Sequence, residues 1–251
     1  MGPYDETQLR KVADAATIKI IEKWHSVTDS VIGRPIPVVV DNRRNNPNQA
    51  STKDEMNTAF PAGYQGKVVL SVWLDSFPAF KPILLTHEVG HWVLKLQGFR
   101  SFIRTPRDPM AEGLFNDMAS HPPLYALQKS MGHDSQPEVD SRCDHDIELC
   151  SQPGKGDELL SALYLADDLL NCSWKKREKL KWALSKYRPN AMKIATKIIR
   201  VSSEFDLYSP MSNVAFREKL VRKLNMPGKW TEKDDATEIK KLIVEVEETQ
   251  P

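Results

Sequence analysis

The chain has 251 residues and a mass of 28.6 kDa, enough for one large domain or two small ones with a buried core. Its 40% hydrophobic and 27% charged residues are ordinary for a soluble globular protein, and a net charge of +1 gives no global attraction to nucleic acid or membrane. No apolar run approaches a membrane span, the N-terminal "MGPYDETQLRKVADAA" lacks a signal-peptide core, and three cysteines are too few for a disulfide framework, so a cytoplasmic location is expected.

In chain order, Leu9, Val12, Ala16, Ile20 and Trp24 recur near helical spacing, which predicts one helix over 6–27, ended by Gly33 and Pro35. "IPVVVDN" reads as a short strand. The Asn-, Pro- and Gly-rich 43–66 reads as a long loop, and the β-branched "KVVLSVWLD" as a second strand. A helix carrying "ILLTHEVGHWVL" follows, ended by Gly98. "TPRDPMAEGLFNDMASHPP" predicts another helix, with Asp108 as N-cap, Pro109 in the first turn and Pro122-Pro123 as the stop. From about Gly156 the chain is helical, with amphipathic stretches at 157–170, 175–187, 190–205, 213–224 and 236–248. The expected class is therefore α+β: a small mixed sheet with helices in 1–150, and a mostly helical 151–251 packed on it.

His87-Glu88-Val89-Gly90-His91 reads HExxH. On a helix the two histidines lie one turn apart on one face, spaced to bind one zinc ion, with Glu88 beside the metal as general base for its water. Zinc lowers the pKa of that water toward neutrality. At 100° per residue Leu85, Val89, Trp92 and Leu96 form one apolar stripe, while His87 and His91 point roughly opposite. These three are the only charged or titratable residues from Ile83 to Leu94. A polar triplet on an apolar helix calls for a partner such as a metal.

With this motif the chain resembles the zincin metallopeptidases over about 36–134, most specifically at the HExxH helix. The resemblance implies a zincin-like sheet whose strand before the helix, "KVVLSVWLD", is the edge that holds peptide substrate. It also implies zinc as cofactor, and hydrolysis of peptide bonds in a peptide or protein substrate.

A catalytic zinc needs a third protein ligand and an open position for water. The candidates are His121, Glu112 and, less favoured, Asp117. Gluzincin-type enzymes use a helical glutamate at a range similar to Glu112, which lies 21 residues after His91, with an acidic residue or Asn one turn on; Asn116 stands there. The stretch around His121 resembles HExxH proteins in which a His or Asp precedes a proline at a helix end. Glu112 and His121 fall half a turn apart on one regular helix, so they exclude each other as ligands. His121 is preferred, with Asp117 one turn before it to orient the imidazole.

Cys143, His145 and Cys150 suggest a second metal site, but their spacing fits no standard structural zinc pattern, and buried cysteines with a surface histidine are preferred. His133 and Tyr125 are candidate hydrogen-bond donors to a transition state, and His25 is read as structural. Between 175 and 200 ten basic residues and one acidic residue surround Trp182 and Tyr187. That pattern suits a nucleic-acid face, although a solvated helix face balanced by the acidic "VEVEE" tail is preferred. The alternative to a peptidase is a regulatory or binding protein with a zincin fold. One form of it resembles the HExxH proteins that cleave a single, nucleic-acid-associated regulator.

Overall fold

Asp14 divides the first amphipathic stretch in two. Its side chain accepts the Thr17 N–H at 2.8 Å, so it serves as an N-cap rather than as a helix interior residue. The single helix expected over 6–27 is instead α1 (Glu6–Val12) and α2 (Ala15–Ile32). Gly33, at φ +94°, supplies the left-handed turn that ends α2. The computed structural model describes residues 3–42, 58–74, 81–150 and 157–249, and among them it holds ten helices and five strands.

Strands β1 (Val38–Asn42), β2 (Thr58–Tyr64) and β3 (Lys67–Leu74) form a mixed sheet in the order β1-β3-β2. β1 runs parallel to β3, with Val38 opposite Leu70, and β2 runs antiparallel to it, with Ala62 opposite Val69. Two expectations change here. Part of the expected loop, 58–64, is a strand, hidden in the sequence by Pro61 and Gly63, which weaken a strand pattern and suit an edge. The rest of that loop, 43–57, lies outside the described residues. Gln65 and Gly66, both at positive φ, close the hairpin as a two-residue turn whose twist matches the strands. The expected substrate-holding edge, β3, is the central strand, and its backbone is engaged on both sides.

Helix α3 (Pro82–Leu96) carries the HExxH residues. Leu85, Val89, Val93 and Leu96 pack with Ile20, Ile21 and Trp24 of α2, with Leu70 and Val72 of β3, and with Ile239 of α10 (Asp235–Glu248). These elements make one compact unit, Met1–Gln97 with Leu127–His133 and Asp234–Pro251.

The second unit comprises Gly98–Ala126 and Asp134–Lys233, so the two units interleave along the chain. β4 (Ser101–Thr105) and β5 (Lys229–Lys233) pair antiparallel within it, although neither has a clear alternating pattern. Its helices are α4 (Pro109–Met131), which continues into the first unit at Leu127, α5 (Gln136–Cys150), α6 (Glu158–Asn171), α7 (Trp174–Tyr187), α8 (Pro189–Ser202) and α9 (Pro210–Leu224). Phe115, Met118, Leu163, Leu184, Ile198 and Phe216 are buried in its core.

Pro122 and Pro123 do not stop α4. Without an N–H, Pro123 leaves the Ala119 carbonyl short of its helical donor. Asn213 of α9, fully buried, donates to that carbonyl from Nδ2 at 2.7 Å and holds the Leu207 carbonyl at 3.0 Å. A side chain 94 residues away thus replaces a backbone hydrogen bond. Asn213→Leu is expected to cost about 1–3 kcal/mol in urea unfolding. The loss should shrink in a Pro123→Ala background, where the restored N–H reaches Ala119; an equal loss in both backgrounds would rule this coupling out.

Candidate metal centre

Helix α3 places its two histidines by simple rotation. The stripe of Leu85, Val89, Trp92 and Leu96 is buried as the periodicity predicts, and Trp92 Nε1 donates to the Ala59 carbonyl at 2.8 Å. His87 and His91 are half-buried. Their Nε2 atoms stand 3.2 Å apart, with the rings nearly perpendicular at 84°. Two nitrogens on one tetrahedral zinc, each bonded at about 2.0–2.1 Å, are separated by about 3.3 Å. The pair therefore has the spacing of one edge of such a site.

The ligand atoms of His87, His91 and His121 all lie within 4.8 Å of one another, and among the described residues no other group of three His, Cys, Asp or Glu side chains does so. Three histidines thus lie close enough to hold a metal ion. Imidazole nitrogens suit zinc and the neighbouring transition metals rather than magnesium or calcium.

His121 is 6% exposed, and its surroundings fix its chemistry. Nδ1 lies 2.8 Å from Asp167 Oδ2, so the Nδ1–H donates to the carboxylate, and in the neutral ring the lone pair is on Nε2. Asp167 is itself held. Arg142 Nη2 donates to the same Oδ2 at 2.8 Å, and Asn171 Nδ2 donates to Oδ1 at 2.7 Å. Burial alone would lower the basicity of His121, but the Asp167 carboxylate outweighs it and raises the imidazole above its ordinary value. Tyr125 stacks on the His121 ring at 5.2 Å, one turn along α4.

The other candidates have different work. Glu112 Oε1 accepts from Arg107 Nε at 2.9 Å and from the Arg104 backbone at 3.1 Å, which braces the turn into α4. Neither Glu112 nor Asp117 belongs to the histidine group. The orienting carboxylate expected at Asp117 is Asp167 of α6. His133 is bound on both nitrogens, to Thr86 Oγ1 at 2.9 Å and to Asp14 Oδ2 at 2.8 Å, and so serves the packing of its own unit. His25 pairs with Glu6 at 2.9 Å, as a structural residue would. Cys143 and Cys150 are buried free thiols and His145 is exposed.

Behind His121 the polar network continues through residues that the sequence reading passed over. Arg142 Nε donates to Asp168 Oδ1 at 2.7 Å. Asp168 faces Asp146, whose Oδ1 accepts from the Tyr164 hydroxyl at 3.2 Å. Both aspartates are almost fully buried, and each Oδ2 lacks a donor when both are ionised. Burial and the facing Asp168 push the Asp146 carboxyl up to about 8, so Asp146 keeps its proton at neutral pH. The available signal was "LYLADDLL": two adjacent charges inside an apolar helical run need buried partners.

No protein-family model, curated protein or solved structure matches this chain.

The proton kept by Asp146 bears on stability. Below about pH 4 Asp146 is protonated whether the chain is folded or unfolded, and between about pH 4 and 8 only the folded chain keeps the proton. Its contribution is therefore complete at low pH and is lost as pH rises through that window. Asp146→Asn, which can donate to Asp168 and accept from Tyr164, should match the wild type near pH 4–5 and unfold at a higher temperature near pH 8. Parallel pH profiles of the melting temperature would disprove the retained Asp146 proton.

Proposed function

We propose that the protein is a zinc-dependent peptidase with His87, His91 and His121 as ligands and Glu88 as general base. The observation that carries this reading is the convergence of the three imidazoles within 4.8 Å, with a glutamate directly after the first on α3. His121 is preferred over Glu112 and Asp117 because Asp167 presents it in the right tautomer, while Glu112 is occupied by Arg107 and the preceding backbone. A zinc ion held there would supply Lewis acidity, activating water and polarising a peptide carbonyl.

The chain's own residues would then do the rest. Glu88 takes the proton of the attacking water and passes it to the leaving amine. Asp167, clamped by Arg142 and Asn171, keeps the His121 ring from turning and keeps its proton on Nδ1. Three protein ligands would leave such an ion room for substrate or water, as catalytic zinc requires. A partner protein or peptide is the substrate class in this reading. β3 cannot receive it as an added strand, because both of its edges are already paired.

Metal analysis and peptide hydrolysis test the assignment together. Stoichiometric zinc is expected in the purified protein, retained in Glu112→Ala and lost in His121→Ala; the reverse pattern would remove His121 from the ligand set. Glu88→Gln should keep zinc and lose roughly 10²–10⁴-fold in hydrolysis. Asp167→Asn should weaken zinc affinity by about 10–100-fold without unfolding the protein. A zinc-loaded wild type that cleaves no member of a broad peptide library would favour the regulatory or binding reading.

A further inference from the structure

Helices α7 and α8 carry a surface that the metal centre does not use. Of the ten basic residues between 175 and 200, Lys176 pairs with Asp144 and Lys181 with Glu178. Among the described residues no carboxylate pairs with Lys175, Lys179, Lys186, Lys193 or Lys197. At 100° per residue Trp174, Glu178, Trp182, Lys175, Lys186 and Lys179 share one arc of α7 about 140° wide. All six are exposed, and Leu180, Ala183 and Leu184 are buried. On α8, Lys193, Lys197 and Arg200 fall within about 60° of one another. They too are exposed, with Ala195 and Ile198 buried behind them.

The aromatic residues identify the kind of anion. Trp182 is 62% exposed and Trp174 67%. The Lys186 ammonium lies 4.9 Å from the Trp182 ring centre and 4.8 Å from that of Tyr187, and the two rings meet edge to face. Every large hydrophobic that these two helices expose is aromatic: Trp174, Trp182 and Tyr187. A helix that lies in lipid buries a continuous apolar face, and one that docks in a protein groove presents apolar anchors at i, i+3, i+4 and i+7. Flat rings standing among cations, without such a face, match what unstacked bases and their phosphates require.

We propose that α7 and α8 form a binding surface for single-stranded nucleic acid, with a base stacked on Trp182 and phosphates neutralised by Lys175, Lys179, Lys193, Lys197 and Arg200. The assignment goes beyond the peptidase reading and does not depend on it.

The test uses the full chain and a fluorescein-labelled, mixed-sequence single-stranded oligonucleotide of about 16 nucleotides, followed by anisotropy at about 50 and 200 mM salt. Binding is expected at the lower salt and should weaken about tenfold or more at the higher. The double variant Lys193→Glu/Lys197→Glu should lose at least about tenfold in affinity and show a shallower salt dependence. Trp182→Ala should lose about fivefold or more at both salts with the salt dependence unchanged, and Trp182→Phe should recover much of that loss. Zinc content and circular dichroism should not change in any variant. No binding at the lower salt would overturn the proposal. So would full affinity in Trp182→Ala, or equal affinity for polyglutamate or phosphatidylserine vesicles, since those anions carry no bases.

Discussion

The hydrogen bond from His121 Nδ1 to Asp167 sets the conditions for the candidate site. It fixes which nitrogen carries the proton, so in the neutral ring Nε2 is the atom left with a lone pair. A buried carboxylate cannot stand alone, and Asp167 is tolerated because Arg142, Asn171 and His121 together satisfy it. Arg142 in turn brings Asp168, and Asp168 brings Asp146, which keeps a proton because two adjacent buried carboxylates cannot both ionise. One imidazole orientation thereby draws α4, α5 and α6 into a single set of polar contacts. The helices around it supply the dry surroundings in which such contacts are strong and in which a missing partner is costly.

Helix α4 remains helical far beyond His121. Pro122 and Pro123 follow directly and would ordinarily end the helix. The amide of Asn213 takes over the abandoned carbonyl of Ala119, so α4 reaches Tyr125, which stacks on His121, and Gln128, which donates to Thr86 Oγ1 and the Ile83 carbonyl of α3. The prolines bring a benefit of their own: a residue without an N–H cannot compete with a neighbouring side chain for that carbonyl. The helix is thus continued by tertiary contact rather than by intrinsic propensity.

Local pattern gave a good account of some elements and a poor one of others. The apolar stripe of α3 lies where 3.6-residue spacing puts it, and β1, β3 and the helices after 157 form where their periodicity predicts. The errors fall where one interaction overrode a pattern. Asp14 capped a new helix inside an amphipathic run, Asn213 rescued a helix from its prolines, and pairing with β3 made a strand of a stretch holding Pro61 and Gly63. β4 and β5 rest on each other across more than 120 residues of sequence, so neither could be read alone. The exposed basic face of α7 and α8 is a similar case. Its charge was legible in the sequence, but the exposure of Trp182 and Trp174 was not.

The sequence by itself determined that His87, Glu88 and His91 share a helix and that the two histidines lie on one face. That follows from a helical repeat of 3.6 residues and needs no other part of the chain. It also narrowed the third member to one helix, on which Glu112 and His121 exclude each other by rotation. Only the tertiary structure decided between their surroundings. Glu112 is drawn into the turn before α4 by Arg107, while His121 is oriented by Asp167, 46 residues further along the chain. Spacing fixes what lies within a turn or two of a residue. Partners at long range depend on how helices pack, which no local pattern encodes.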